Sequence, residues 1–364
     1  MIKSEEVARL AGVSRATVSR VINNYSNVPD ETRERVMKVI RESNYIPNTS
    51  ARVLAGKGTD TIGLFIYNVH DETRPGRIYN NSYFGPFVSA VVDRCNQRGY
   101  SVLIHTIYRS EECRRIPQTW KQKRIDGAIL IGTELNDDID RLVGETHCPL
   151  AVVDWDPVAA ERLASHEARL LTVNCDDAAG LSVCVDYLAG LGHRDIGLIV
   201  GRQNTWSAIC RLRGYERRMA ELGLPIRDEW MPAGEFSRSR TKRAVEALIA
   251  SDDLPTAFIA SNDDMALAAI EALRAGGLRV PEDVSVIGYD DGLAAPWAHP
   301  ALTTVRTPFF EMAGEAVEGL VSCLESKRRC VRSVILPAEL ILRDSCTGPR
   351  RQATSAASRE AAGR

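Results

Sequence analysis

The 364-residue chain has no unbroken apolar run approaching the roughly 18 residues of a membrane span, so integral membrane proteins drop out. Its first residues, Met1-Ile2-Lys3-Ser4-Glu5-Glu6, carry two carboxylates and no apolar block of signal-peptide length. An export signal is therefore not expected, and a cytoplasmic location is. The nine cysteines are never closer than seven positions, which leaves neither a C-x-x-C zinc motif nor a dense disulfide framework. Free thiols in a reducing compartment are expected. No charge of one sign dominates either: 46 Lys or Arg stand against 48 Asp or Glu, a net of −2. What is plentiful is apolar residue, at 44%. That supplies core material for more than one unit at about 100–200 residues per domain.

Charge becomes informative when it is divided along the chain. Residues 1–59 hold ten Lys or Arg and six Asp or Glu, and the remainder carries the acidic excess. A basic head on an acidic body is the asymmetry that suits nucleic acid. Within the head, residues 1–46 read as three short helices. Ser4 is an N-cap candidate with Glu5 and Glu6 in the first turn, and Val7, Ala8 and Leu10 form an inner face. Gly12 permits the positive φ of a sharp break. Ser14 can cap a second helix whose Val18, Val21 and Ile22 share one side. Asp30 can cap a third, with Val36, Val39 and Ile40 at helical spacing.

Beyond residue 60, short apolar runs alternate with helical stretches. Strands are expected at 61–67, 101–106, 126–131, 150–153, 170–173, 196–201, 256–260 and 284–288. Helices are expected at 84–98, 177–191, 208–222, 241–251, 263–275 and 311–326. This alternation implies parallel sheets covered on both faces, and the length implies two α/β lobes. Residues 348–364 are small, polar and charged, as in a disordered tail.

The strongest motif is the helix–break–helix over residues 7–23. A helix-turn-helix sends the N-terminal part of its second helix into the major groove, where arginine can pair with guanine O6 and N7. Arg15 and Arg20 stand among the outward positions of that helix beside small residues. Thr17, Ser19 and Asn23 suit phosphate oxygens. A helical dimerisation or cap domain with a solvated basic face fits the same spacing.

These residues carry a resemblance. The run Ser4-Glu5-Glu6-Val7-Ala8-Arg9-Leu10-Ala11-Gly12-Val13-Ser14-Arg15-Ala16-Thr17-Val18-Ser19-Arg20-Val21-Ile22-Asn23 resembles the N-terminal signature of the lactose/galactose repressor (LacI/GalR) family of bacterial transcription regulators. Tyr45-Ile46-Pro47-Asn48 and Ala51-Arg52-Val53-Leu54 resemble its hinge. Leu191-Gly192-His193-Arg194-Asp195-Ile196, Ser261-Asn262-Asp263 and Val280-Pro281-Glu282-Asp283-Val284-Ser285-Val286-Ile287-Gly288-Tyr289-Asp290-Asp291 resemble its second lobe. Leu302-Thr303-Thr304-Val305 resembles its return crossing.

The resemblance implies a helix-turn-helix domain at 1–46, a hinge at 47–59, and a two-lobed periplasmic-binding-protein-like α/β body for effector binding and dimerisation at 60–347. Arg15, Ala16 and Arg20 become the base-reading positions. Leu54 becomes an apolar wedge entering the minor groove, unless it is simply a buried hinge leucine. The implied partners are near-palindromic double-stranded operator DNA, a carbohydrate-like small molecule held between the lobes, and further copies in a homodimer or tetramer. The implied effector contacts are Tyr83, Phe84, Asp154, Ser207, Arg211, Phe236, Asn262 and Asp290. For Asn262 and Asp290, which follow expected strands, capping of the next helix is the plain alternative. The stretch 68–82 is longer than the loop this family commonly has there.

No cofactor, metal or catalytic constellation is expected. Gly190-Leu191-Gly192-His193-Arg194-Asp195 lacks the third glycine of a dinucleotide fingerprint, and His166-Glu167 has Leu170 where a zinc protease helix needs histidine. The phosphate-cradling G-x-x-x-x-G-K-[S/T] and the G-x-S-x-G nucleophile turn are both missing. The expectation is a ligand-responsive repressor. A transporter's solute-binding protein and a sugar enzyme with a helical accessory domain are its rivals.

Overall fold

In the computed structural model, which describes residues 2–22, 25–45, 58–68, 82–326 and 329–350, the head is three helices: α1 (Ser4–Ala11), α2 (Arg15–Ile22) and α3 (Asp30–Glu42). They enclose a small core of Val7, Ala8, Ala11, Val18, Val21, Val28 and Val36. Leu10, expected on the inner face, is exposed, and Ala11 takes its place. One residue is about 100° of helical turn, so that shift rotates a large side chain outward. Two expected caps are also corrected. Lys3 precedes α1 and Pro29 precedes α3, so Ser4 and Asp30 are the first helical residues, and neither helix has a side-chain cap. The carboxylates of Glu5, Glu6, Asp30 and Glu31 favour those ends through the helix dipole instead.

The chain divides into two units, residues Met1–Thr59 and Asp60–Arg364. Two sheets build the second. The first has the order β10-β5-β4-β3-β1-β2, with β1 (Thr61–Tyr67), β2 (Ser101–Ile107), β3 (Gly127–Ile131), β4 (Leu150–Val153), β5 (Arg169–Cys175) and β10 (Cys330–Leu336), all parallel. The second has the order β11-β9-β8-β7-β6, with β6 (Ile196–Ile199), β7 (Ala257–Ala260), β8 (Ser285–Asp290), β9 (Thr303–Arg306) and an antiparallel β11 (Glu339–Ile341). The inner strands are buried on both faces, which is why they read as apolar runs without alternation.

Helices cover both faces. They are α4 (Phe84–Gln97), α5 (Arg115–Lys121), α6 (Asp137–Glu145), α7 (Pro157–Leu163), α8 (Asp177–Gly190), α9 (Trp206–Glu221), α10 (Arg238–Ala250), α11 (Asp263–Ala275) and α12 (Phe309–Ser326). Separate apolar clusters fill the space above and below each sheet. Strands β10 and β11 escaped the sequence reading because Arg332 and Ser333 interrupt an edge strand and three residues carry no period. Helices α5, α6 and α7, of seven to nine residues, were also missed, although α6 buries Ile139, Leu142 and Val143 at helical spacing.

The chain passes between the lobes three times: from β5 into α8, from β9 into α12, and from β10 to β11. The first and third passages are tied to each other, and the second is tied to the end of β8. Asp176 N donates to Leu336 O at 2.8 Å, and Thr307 Oγ1 donates to Asp290 Oδ1 at 3.2 Å. Among the described residues, no helix is long and apolar enough to cross a membrane.

Candidate DNA-reading helix and ligand cavity

Helix α1 ends at Gly12, whose φ of 64° is left-handed and whose N–H returns to the carbonyls of Ala8 and Arg9. Ser14 then starts α2 as expected, its Oγ accepting from Thr17 N at 3.0 Å. Arg15, Ala16, Ser19 and Arg20 are exposed on α2. Val18 and Val21 anchor the opposite side. Thr17 is half-buried, and its hydroxyl pairs with Ser14 Oγ at 2.9 Å, so it supports the cap as well as facing outward. Arg15 Nη1 lies 3.2 Å from Glu5 Oε1, an exposed pair of the kind that contributes little and yields readily. Asn23 and Leu54, with residues 47–57 of the hinge, most of the 68–82 loop and the tail beyond residue 350, lie outside the described residues.

In the body, a cavity of about 950 Å³ opens where the carboxyl ends of the two sheets face each other, the position at which open α/β sheets hold ligands. Tyr83, Phe84, Asp154, Ser207, Arg211, Phe236, Asn262 and Asp290 all line it. Contacts among the described residues span the lobes beside it. Ser82 Oγ donates to Asp264 Oδ2 at 3.0 Å, Leu135 N donates to Asn204 O at 2.7 Å, and Arg202 lies 3.8 Å from Glu134.

At the centre is Arg211 of α9, 3% exposed. Its Nε donates to Asp177 Oδ1 at 2.8 Å, Nη1 donates to the carbonyl of Ser261, and Nη2 lies 3.6 Å from Asp290 Oδ1. Asp154, directly after β4, accepts from the Tyr83 hydroxyl. Burial pushes its carboxyl up to about 7, and the Asp177 charge adds to that, while Tyr83 and Arg211 pull the other way. Burial likewise raises Asp290 well above the usual carboxylate range against the pull of Arg211. Tyr83 stands edge-on to both Phe84 and Phe309, which fixes its ring at the cavity wall.

Backbone strain concentrates here. Asp154 (56°), Glu235 (51°), Phe236 (57°) and Asp290 (106°) all have positive φ. Non-glycine residues in these conformations cost energy and cluster at binding sites. Gly201 makes room for the aromatic wall, because a Cβ there would lie 2.5 Å from Phe236 Cζ. Asn262 caps α11, its Oδ1 accepting from Met265 N at 2.9 Å, and it stands in the cavity lining as well. Sequence reasoning missed Thr133, Arg202, Thr205, Glu235 and the run from Ser237 to Arg240. A strand-end rule applied to every strand would have found Thr133 and Arg202.

Among the described residues, no group of three or more His, Cys, Asp or Glu is gathered for a metal. His193, in the motif that begins like a dinucleotide fingerprint, is instead structural. Its ring nitrogens meet Thr256 Oγ1 at 2.8 Å and Thr347 O at 2.7 Å, pinning the end of the body.

A helix-turn-helix head followed by a two-lobed body with a polar cavity defines a DNA-binding regulator with an effector-binding domain. Comparison with known proteins agrees. Residues 5–48 match the bacterial regulatory proteins of the lacI family, and residues 185–346 match a periplasmic binding protein-like domain. The HTH-type transcriptional regulator DegA of Bacillus subtilis is 33% identical over 345 residues, covering 93% of this chain and 96% of DegA. The HTH-type transcriptional repressor PurR of Pasteurella multocida is 33% identical over 347 residues, covering 95% of this chain and 98% of PurR. A structure of the lac repressor dimer bound to operator and the anti-inducer ONPF superposes with a TM-score of 0.78 at 28% identity, over 95% of this chain and 99% of that one. The CelR–cellobiose complex superposes at 0.70 with 29% identity, over 95% and 100%. The chain belongs to the lacI family and is a DNA-binding transcriptional regulator.

Proposed function

We propose that this regulator is a repressor of cytoplasmic location that binds a near-palindromic operator as a homodimer or tetramer and responds to a carbohydrate-like effector. The proposed division is a reading head at 1–46, a hinge at 47–59 and an effector body at 60–347. Arg15, Ala16 and Arg20 read bases. Thr17, Ser19 and Asn23 hold phosphates, and Leu54 wedges the operator centre. Tyr83, Phe84, Asp154, Ser207, Arg211, Phe236, Asn262 and Asp290 contact the effector. A catalytic role is not part of this reading, since the relatives are regulators.

The observation that carries the effector reading is the strained, buried Asp154–Arg211–Asp290 group at the cavity wall. Paired donors and acceptors beside aromatic faces match the two surfaces of a polyhydroxylated ligand. In the lac repressor and CelR complexes, the partners are operator with ONPF and cellobiose. A ligand held by both lobes adds to the Ser82–Asp264 and Leu135–Asn204 contacts. It shifts operator affinity only by its differential affinity for the two lobe arrangements.

Selection of bound DNA from a random pool, repeated with and without a panel of sugars, tests the proposal. A two-fold-related consensus whose retention changes with one sugar is expected. Recovery of no consensus, or retention of the same site by protein lacking residues 1–58, would overturn it.

A further inference from the structure

Besides Arg211, three guanidiniums line the cavity. Arg202 comes from the loop after β6, and Arg238 and Arg240 come from the first turn of α10. Ser237, Ser239 and Thr205 add hydroxyls, and Phe236 lies between the two segments in sequence and in the wall. Each of these cations has a carboxylate within ion-pair reach, but most of the pairs are long or solvent-exposed and leave guanidinium donors unused. Arg202 has its nearest carboxylate, Glu134, at 3.8 Å, beyond hydrogen-bond distance, and its Nη2 reaches only the Glu235 carbonyl at 3.5 Å. Arg238 meets Glu271 at 3.4 Å and Asp264 at 4.0 Å. Arg240 alone has a short ion pair, to Glu235 at 2.7 Å. Burial lowers the Arg202 pKa, and the like charge of Arg240 adds to that shift, whereas Glu134 and Glu235 oppose it.

A guanidinium is a planar fork of donors with no acceptor, shaped for a carboxylate or a phosphate. A neutral polyol offers hydroxyls that donate as much as they accept, and leaves the surplus of cationic donors unmet. Glu235 and Asp264 share this wall, but both are more than a third exposed in their side chains, so a ligand acid can compete for their arginines. Resting on the effector reading above, we propose that the cavity takes a ligand bearing an acidic group, which lies against Arg202, Arg238 and Arg240 while its hydroxylated part faces Asp154, Arg211 and Asp290.

The test uses the full-length protein at constant ionic strength, with calorimetric titration of D-glucose, D-glucuronate, D-glucose 6-phosphate and inorganic phosphate. At least one acidic probe is expected to saturate, about tenfold or more tighter than D-glucose, as charge-assisted hydrogen bonds require. The carboxylate and phosphate arms then separate the two acids. The gain should vanish in the double variant Arg238→Gln/Arg240→Gln, whose side chains are half exposed and whose replacement leaves the core intact. It should persist in Arg243→Gln, an exposed position of α10 that does not line the cavity. Three results overturn the proposal: no acidic probe saturating, acid and neutral probes binding alike, or the double variant keeping the gain. A neutral sugar that changes operator retention would leave the effector reading standing while this inference fell. Acid binding by a protein that selects no DNA consensus would do the reverse.

Discussion

The guanidinium of Arg211 lies over the ring of Tyr289, its Cζ 3.7 Å from the ring centroid, in a position where both side chains are almost fully buried. This stacking holds the fork flat, so that it bridges Asp177 at the start of α8 and Asp290 at the end of β8. Replacing it by Met keeps volume but strands two buried carboxylates. Arg211→Met should cost about 3–5 kcal/mol of stability, the usual penalty for breaking a buried ion pair by removing one partner. Urea unfolding of the purified protein measures it. A loss within experimental error of zero would mean that the carboxylates are neutral without the arginine.

Asp154 gives a pH dependence with a definite sign. Its carboxyl titrates from an ordinary 3.8 in the unfolded chain to about 7 in the fold, chiefly through burial. Between those values the native state holds a proton that the unfolded state has released. Its contribution therefore falls as pH rises through that window. Asp154→Asn, which cannot ionise, should lose less stability than the native protein between about pH 5 and pH 8. Chemical denaturation at the two pH values, compared between the proteins, decides; parallel losses would place the shift elsewhere.

Arg20 is exposed on α2. Arg20→Ala should relax base preference at one operator position at a cost of roughly 1–3 kcal/mol. Binding to a set of single-base operator variants reads this out. A uniform weakening across all sequences would make Arg20 a phosphate contact instead.

Gly214 sets the approach of α9 to α8. A Cβ there would lie 2.3 Å from the backbone carbonyl oxygen of Ala178, which cannot swing aside as a side chain can. Gly214→Ala should destabilise the body by about 1–3 kcal/mol through overpacking. It should also disturb Arg211, three residues earlier on the same helix. Thermal unfolding tests the first expectation and sugar titration the second.

Much of this was legible in the residues. The break at Gly12 and the cap at Ser14 are local backbone and hydrogen-bond requirements, and both were found where expected. Strands β1 and β4 appeared with their bounds intact because parallel strands buried on both faces are continuous apolar runs. The errors at Ser4, Leu10 and Asp30 are one-residue errors of phase or boundary, the part of a helix that a local pattern fixes least.

The amino-acid order alone determined the helix–break–helix of the head and the alternation of strands and helices, because each depends on neighbours a few positions apart, and its motifs carried the resemblance to the family. Which side chains share a cavity was decided only by folding. Asp154, Arg202, Arg211, Arg238 and Asp290 come from separate strand ends, loops and helix turns, and three passages of the chain between two sheets bring them to one wall. The raised carboxyl of Asp154, the stacking of Arg211 on Tyr289 and the surplus of guanidinium donors are consequences of burial and proximity, and no short stretch of sequence encodes either.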